Sequence, residues 1–206
     1  MTRSNLARSY AAAGEVGRAV LLCEQVLADS ERLLGAEHPS TLIARNNLAG
    51  AYQQAGETRR AIPLVERAVA DSERLLGADH PDTLSFGNNL AGAYAEAGHV
   101  RRAIPLYDQV LADRQRILGA DHPRTLISAS NLAADLERLG DHDAAAALQA
   151  EVKQRRTGRC GNTGRARPDA VRPAVSGTDR LAVTPCAAAA AVNSGQRCSV
   201  YVESTR

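Results

Sequence analysis

GAEHPSTLIARNNLAGAYQQAGETRRAIPLVERAVADSERLL (35–76) and GADHPDTLSFGNNLAGAYAEAGHVRRAIPLYDQVLADRQRIL (77–118) are two consecutive stretches that decide the fold. They align without a gap, and about 25 of their 42 positions are identical. The same period continues forward into GADHPRTL (119–126) and backward to Tyr10 and Gly14. Because the phase is kept throughout, the chain is a repeat array with units of about 1–34, 35–76, 77–118 and 119–156.

Each unit is predicted to contain two antiparallel helices. In the second unit, helix A should start at Pro39, since proline suits a first helical position, and should end near Ala55 before Gly56. Helix B should run from about Thr58 to Leu76, and apolar residues recur at helical spacing along both helices. One hairpin is too small to bury its own apolar face, so neighbouring hairpins must stack.

The composition agrees with closely packed helices. The chain has no Trp, one Phe and one Met, so its core must be built from Leu, Ala, Val and Ile. A β-sandwich would be expected to use more aromatic and β-branched residues. The predicted fold class is therefore all-α, a solenoid of about four antiparallel helix hairpins.

The pattern at Leu48, Ala49, Tyr52, Gly56 and Ala61 resembles the tetratricopeptide consensus. The wider pattern Asn-Asn-Leu-Ala-x-x-Tyr, Ala-Ile-Pro-Leu and Leu-Gly-Ala-x-His-Pro is similar to the kinesin-light-chain-type subfamily, which is also abundant in bacterial signalling proteins, often downstream of a nucleotide-binding switch domain. The resemblance covers residues 1–156. It implies a right-handed superhelix with a concave groove, lined mainly by helix A, that binds a segment of another protein.

Charge and hydropathy argue against two other classes of partner. Residues 1–156 carry 18 basic and 20 acidic side chains, so the dense basic stripe needed for nucleic-acid binding is not expected. The longest apolar run, Ala187 to Val192, is far shorter than a membrane span, and the N-terminus has no apolar signal-peptide core. We therefore predict a cytoplasmic protein that binds neither nucleic acid nor membrane.

The histidines invite a metal or catalytic interpretation, but their spacing does not favour one. His38, His80 and His122 occupy one position per repeat before a proline, so they should lie a repeat apart and cannot converge on one ion. His99 and His142 fall in predicted turns, where they should be exposed. We predict that the three repeated histidines have a structural role.

The cysteines and catalytic motifs give the same result. Cys23 lies in a predicted helix, and Cys160, Cys186 and Cys198 follow the repeats at separations that fit no zinc motif. No phosphate-binding glycine loop, nucleophile elbow or HExxH sequence occurs in the chain. We predict no metal, no cofactor and no enzymatic activity.

Asparagines recur in the middle of helix A, where they are poor helix formers and need an explanation. They could contact a ligand backbone in the groove, since an amide both donates and accepts hydrogen bonds, or they could link adjacent hairpins. The resemblance implies ligand contacts at Asn47, Asn89 and Asn131, with Asn5 as the weaker counterpart. The complete set of predicted groove residues is Asn5, Arg8, Arg45, Asn46, Asn47, Gln54, Asn88, Asn89, Glu96, Asn131 and Arg138.

The two ends of the array depart from the repeat. By alignment Met1 already lies inside helix A, so we expect the natural array to begin upstream. The last unit has Leu136 where Tyr is expected, and its second helix should span about Asp143 to Arg156. Residues 157–206 are rich in Gly, Arg, Pro, Ser and Thr, so we predict a disordered tail, and we hypothesise a frameshift or readthrough origin.

Three functions are consistent with this organisation. The first is a protein-interaction scaffold that holds a peptide or protein segment in its groove. The second is a regulatory sensor arm, or a fragment, of a larger nucleotide-dependent switch protein, and the third is a fragment without function. The sequence identifies neither the partner nor the oligomeric state.

Overall fold

The computed structural model describes residues 3–162, which contain eight α-helices and no strand. No helix in that range is long and apolar enough to cross a membrane. Each helix packs against the next one in sequence, and the odd-numbered helices α1, α3, α5 and α7 also contact one another in order. The helices are α1 Arg3–Ala12, α2 Val16–Leu34, α3 Pro39–Gln54, α4 Thr58–Leu76, α5 Pro81–Glu96, α6 Val100–Leu118, α7 Pro123–Leu139 and α8 His142–Asn162.

The described residues therefore form an all-α solenoid of four stacked hairpins, and the predicted fold class is confirmed. Odd-numbered helices are helix A of each repeat, and even-numbered helices are helix B. The second unit follows its predicted limits closely, since α3 ends at Gln54 with Ala55 as its cap. Gly56, which follows that cap, has a φ of 77°, a backbone conformation that glycine adopts without steric cost.

The repeated histidines start three of the helices. The Nδ1 atoms of His38, His80 and His122 accept hydrogen bonds of 3.1, 3.1 and 3.2 Å from the backbone N–H two residues later. Each histidine precedes a proline at the first helical position. The side chain satisfies an N–H that would otherwise have no partner at the start of the helix, which is a structural role.

The core depends on alanine at the contacts between helices. Ala49 in α3 and Ala61 in α4 are fully buried, as are Ala91 and Ala103 in the next hairpin. Leucine, valine and tyrosine side chains fill the surrounding volume in one apolar cluster that runs through all four hairpins. The small residues let paired helices approach closely, as the sequence predicts.

The last helix is longer than predicted. α8 ends at Asn162, so the predicted helix end at Arg156 is wrong. The chain has no proline between Pro123 and Pro168, and the two glycines of the extension, Gly158 and Gly161, each cost a helix only about 1 kcal/mol. The rest of the predicted disordered tail, residues 163–206, lies outside the described residues.

Candidate functional site

A groove runs across the exposed sides of α3, α5 and α7. Its volume is about 140 Å³, less than half of the smallest typical site for a drug-sized ligand. The size suits one or two side chains of a ligand that lies along the surface. We call this surface the helix A groove, and it is lined by Gly50, Gln53, Gln54, Asn88, Asn89, Gly92, Glu96, Tyr107, Asn131, Ala134 and Asp135.

Small residues form the floor of the helix A groove. Gly50, Gly92 and Ala134 occupy the same position in successive repeats. A Cβ atom on Gly92 would lie only 3.2 Å from the hydroxyl oxygen of Tyr107, which is buried in α6. The hydroxyl of Tyr107 therefore reaches the groove only because residue 92 has no side chain.

Hydrogen bonds between asparagines and their neighbours connect the hairpins beside the groove. Asn89 Nδ2 donates to Asn46 Oδ1 at 3.0 Å and so joins α5 to α3. Ser128 Oγ donates to Asn88 Oδ1 at 3.0 Å and joins α7 to α5. Asn46 and Asn88 are buried, whereas Asn89 and Asn131 are half-buried and line the groove. Asn88 and Asn89 therefore both link neighbouring hairpins and line the groove.

Asn47 does not line the helix A groove, although it is the counterpart of Asn89 in the previous repeat. It lines a separate cavity of about 10 Å³ between α1, α2 and α3, together with Arg8 and Cys23. Its Oδ1 atom is buried and has no hydrogen-bond partner among the described residues. The cavity has room for about one water molecule, which could satisfy that oxygen.

Arg45 is the clearest correction to the predicted groove residues. Its side chain is only 1% exposed, and its guanidinium donates to Asp71 Oδ2 at 2.9 Å and to Glu31 Oε1 at 3.1 Å. It also donates to the carbonyl oxygen of Ala36 at 3.3 Å. Arg45 therefore holds α2, α3 and α4 together and is not accessible to a ligand in the groove. The sequence pattern could not show this because the two carboxylates belong to other helices.

The other predicted residues divide into two groups. Gln54, Asn88, Asn89, Glu96 and Asn131 lie together in the groove lining. Arg138 lies outside the lining and forms an ion pair of 3.3 Å with buried Asp135. The predicted residues outside the groove lining are Asn5, Arg8, Arg45, Asn46, Asn47 and Arg138.

Sequence reasoning missed Gln53, Tyr107 and Asp135 as groove residues. Asp135 carried a signal, since the same repeat position is alanine at 51 and 93 and both alanines are buried. An acidic residue in place of a buried alanine indicates that the last unit has a polar group at a position where the other units are apolar. The sequence indicates Tyr107 as a groove residue less clearly. Its counterpart is Val65, and both positions belong to the core side of helix B.

The charged residues of the groove lining are both acidic. Glu96 is exposed and accepts a hydrogen bond of 2.9 Å from Gln53 Nε2. Asp135 is 2% exposed and accepts from Arg138. An ionised carboxylate only accepts hydrogen bonds, so this lining favours a ligand that donates them. Among the side chains that the structure describes, residues 3–157, no group of three His, Cys, Asp or Glu is placed to hold a metal ion.

Comparison with known proteins identifies the family. The family model described as tetratricopeptide repeat matches residues 1–74 and 82–157, which is more than half of the chain. The chain belongs to the tetratricopeptide repeat family. No protein among the curated sequences matches it.

Solved structures agree with the predicted subfamily. BtubC (BKLC) from P. vanneervenii is 26% identical with a TM-score of 0.68, over 87% of this chain and 70% of that one. Two structures of nearly identical TPR-like repeats, of kinesin-light-chain type from Podosopora anserina, are 27% and 28% identical with TM-scores of 0.43 and 0.41. These two matches cover 78% and 80% of this chain and 95% and 96% of those chains. The family model and the fold of BtubC (BKLC) confirm the predicted resemblance to tetratricopeptide repeats.

Proposed function

We propose that the chain is a non-catalytic scaffold that holds an extended segment of another protein in the helix A groove. The observation that carries this proposal is the half-buried Asn89 beside Gly92. The amide can bond to a ligand backbone, and the glycine leaves room for that backbone to approach α5. Tetratricopeptide repeats generally mediate protein–protein interaction, which supports the same function.

The carboxylates of the groove narrow the chemistry of the bound segment. Glu96 and Asp135 are both among the residues that line the helix A groove, and no Lys or Arg is among them. A segment that places a lysine, an arginine or a side-chain amide beside Glu96 gains a hydrogen bond to an ionised group. Such a bond contributes about 1.5–3 kcal/mol, more than a bond between neutral groups. We propose a cytoplasmic location for this complex.

The experiment starts by capturing a partner with the full chain and measuring its affinity by calorimetry. Ala134→Arg places a long side chain on the groove floor, at an exposed position that the core does not need. We expect binding to weaken by more than about tenfold, a change of 1.4 kcal/mol. Ala112→Arg is the matched control, since Ala112 is an exposed alanine on α6 outside the groove. Equal affinities for both variants would contradict the proposal.

Asn89→Ala separates the two explanations for the helix A asparagines. If Asn89 contacts the ligand, the substitution weakens binding by over about 1 kcal/mol, the scale of one lost hydrogen bond. If Asn89 only links α5 to Asn46 in α3, the affinity stays the same and the melting temperature falls. The second result would remove Asn89 from the ligand site.

The sensor-arm alternative predicts a nucleotide-hydrolysing domain in the same gene product. A gene that encodes such a domain next to these repeats would favour it, and the groove would then bind a segment that controls the switch.

A further inference from the structure

The hairpins are joined by a contact that repeats along the solenoid. Tyr52 in α3 donates its hydroxyl proton to Glu24 Oε1 in α2, at 2.5 Å, and Arg60 stacks 4.1 Å above the tyrosine ring. Arg60 also donates to the tyrosine oxygen at 2.6 Å. The same contact recurs one repeat later, where Tyr94 bonds to Glu66 and Arg102 lies 4.4 Å above the ring. Helix A of the second and third repeats thus uses a tyrosine to bind a carboxylate on helix B of the preceding hairpin.

A second charged contact accompanies the first at the same interface. Arg45 in α3 reaches Glu31 of the preceding hairpin as well as Asp71 of its own hairpin. Glu24 and Glu31 are seven residues apart, so they lie on one face of α2. α4 carries the same pair as Glu66 and Glu73. The interface between α2 and α3 therefore matches two carboxylates on helix B to a tyrosine and an arginine on the next helix A, whereas α5 keeps the tyrosine and has Gly87 in place of the arginine.

The side chains of α1 occupy the same register, although no helix of the described residues precedes it. Arg3, Leu6 and Tyr10 are the counterparts of Arg45, Leu48 and Tyr52. Leu6 is 38% exposed, whereas Leu48, Leu90 and Leu132, its counterparts, are 4–7% exposed. α1 therefore presents to solvent the apolar position that the other three helices A bury.

Arg3 and Tyr10 on this face of α1 contact residues of their own hairpin. Arg3 pairs with Asp29 of its own hairpin at 2.7 Å, as Arg45 pairs with Asp71, but the side chain of Arg3 is 64% exposed and that of Arg45 is 1% exposed. Arg18 lies 5.6 Å from the ring centroid of Tyr10, farther than in the two completed contacts. The half that α1 lacks is the half that α2 supplies to α3, namely two carboxylates and an apolar stripe.

We propose that the face of α1 formed by Arg3, Leu6, Tyr10 and Arg18 binds an acidic amphipathic helix. That helix carries two carboxylates seven residues apart, one for the hydroxyl of Tyr10 and one for the guanidinium of Arg3, and an apolar residue between them covers Leu6. The bound helix continues the interface that already joins α2 to α3 and α4 to α5. This surface is separate from the helix A groove.

A second copy of the chain does not supply the required helix. The helix B that a head-to-tail neighbour would offer is α8, where the two carboxylate positions are occupied by Ala150 and Thr157. The charge complementarity of the interface would then be lost at both contacts. The fitting occupant is a helix with the acidic pattern of α2 or α4.

The test uses the full chain and a helix-stabilised synthetic peptide with the sequence of α2, Val16–Leu34. We expect saturable binding by fluorescence anisotropy. A peptide carrying Glu24→Gln and Glu31→Gln should bind about tenfold more weakly, because it loses the charge on both hydrogen-bond acceptors. Absence of binding at millimolar peptide, or equal binding of the two peptides, overturns the proposal.

Two substitutions in the chain locate the bound peptide. Leu6→Glu should abolish binding, while Leu21→Glu, at a leucine that is 61% exposed on α2, should leave it unchanged. Tyr10→Phe keeps the apolar ring and should weaken binding of the acidic peptide more than binding of the Gln peptide, because a hydrogen bond to a carboxylate is stronger than one to a neutral amide. Equal binding by Leu6→Glu and wild type, with both folded by circular dichroism, overturns the proposed location. A molar mass that rises with chain concentration and does not fall when peptide is added would identify a second copy as the occupant and overturn the acidic-helix assignment.

Discussion

The second and third hairpins share most of their sequence, yet each buries an arginine in a different way. Arg45 in α3 of the second hairpin is surrounded by the carboxylates of Asp71 and Glu31. Arg114 in α6 of the third hairpin is 3% exposed and donates to neutral oxygen atoms at 2.7–3.4 Å. Those acceptors are the carbonyls of Leu84 and Arg124 and the hydroxyls of Ser85 and Ser128.

The two environments differ in whether negative charges compensate the positive charge of the arginine. Burial, together with the smaller effect of the nearby charge of Arg124, lowers the pKa of Arg114 to about 10. Arg45 has the opposite charges that a buried guanidinium needs for compensation. The same hairpin fold can therefore bury an arginine in two ways. The arginine either links helices through ion pairs or donates hydrogen bonds to neutral oxygen atoms.

The surrounding volume has changed together with the charge. Two equivalent positions differ between the hairpins. The second hairpin has Arg45 in α3 and the small Ala68 in α4, and the third has Gly87 in α5 and the larger Val110 in α6. A Cβ atom on Gly87 would lie 3.1 Å from a methyl carbon of Val110. The third hairpin therefore exchanges a large residue on helix A for a larger residue on helix B.

The largest effect is expected for Gly87→Arg in the third hairpin. The new side chain overlaps Val110, so the free energy of unfolding should fall by about 4 kcal/mol, which combines overpacking with a buried charge. Gly87→Arg with Val110→Ala restores the arginine and the small residue of the second hairpin at these two positions, and Asp113 and Glu73 occupy the positions of Asp71 and Glu31. We expect the double variant to be more stable than Gly87→Arg alone in urea unfolding.

The Val110→Ala variant is the control for this pair and should lose about 2 kcal/mol through its cavity. If the effects of Gly87→Arg and Val110→Ala simply add, the two positions are not coupled and the volume exchange is not the reason for the difference between the hairpins.

Arg45→Met should have the next largest effect. It leaves Asp71, which is 20% exposed, with only the longer contacts to Arg67 and Arg74 at 3.7 and 3.6 Å, and removing one member of a buried ion pair costs about 3 kcal/mol. Arg116→Met removes an arginine that is 56% exposed and pairs with Asp79 and Asp113 on the surface, so we expect little change. Thermal unfolding of both variants tests this, and equal melting temperatures would show that Arg45 is not compensated as described.

Arg114→Met should have the smallest effect, because the lost hydrogen bonds are offset by relief of an uncompensated buried charge. At pH 7 we expect the free energy of unfolding to stay within about 1 kcal/mol of wild type. The pKa of Arg114 is about 10 in the folded chain and 12.5 ordinarily, so between these values the unfolded chain binds more protons. Wild type should therefore gain stability relative to Arg114→Met as the pH rises through that window. Urea unfolding at pH 8 and pH 11 measures the difference, and a constant difference would contradict it.

The sequence predicted the fold because the relevant signals are local and repeated. Proline after histidine, glycine after helix A and alanine at the helix contacts recur with one period, so each unit supports the interpretation of the others. The groove was predicted less completely. Helical spacing placed Gln54, Asn89 and Asn131 on one side of helix A, but it could not show that Tyr107 reaches through the gap at Gly92.

Register along one helix also could not distinguish equivalent residues in different repeats. Asn47 and Asn89 occupy the same position, yet Asn47 faces the cavity beside α1 and Asn89 lines the groove, because each has different neighbouring helices. From the sequence alone, Arg45 is expected to be an exposed side chain. It is buried because α2 and α4 pack against α3 and supply Glu31 and Asp71 as its partners.

By itself, the sequence determined the number of repeats through their period, and it determined where most of the helices start and end, since those limits depend on neighbours within a few positions; the end of α8 was the exception. The tertiary structure decided which polar side chains are buried, which asparagines join hairpins and which face of α1 stays open, since these depend on contacts about 26 to 43 residues apart. Such contacts are set by how whole hairpins stack, and a period of 42 residues gives each repeat the same helices without giving it the same neighbours.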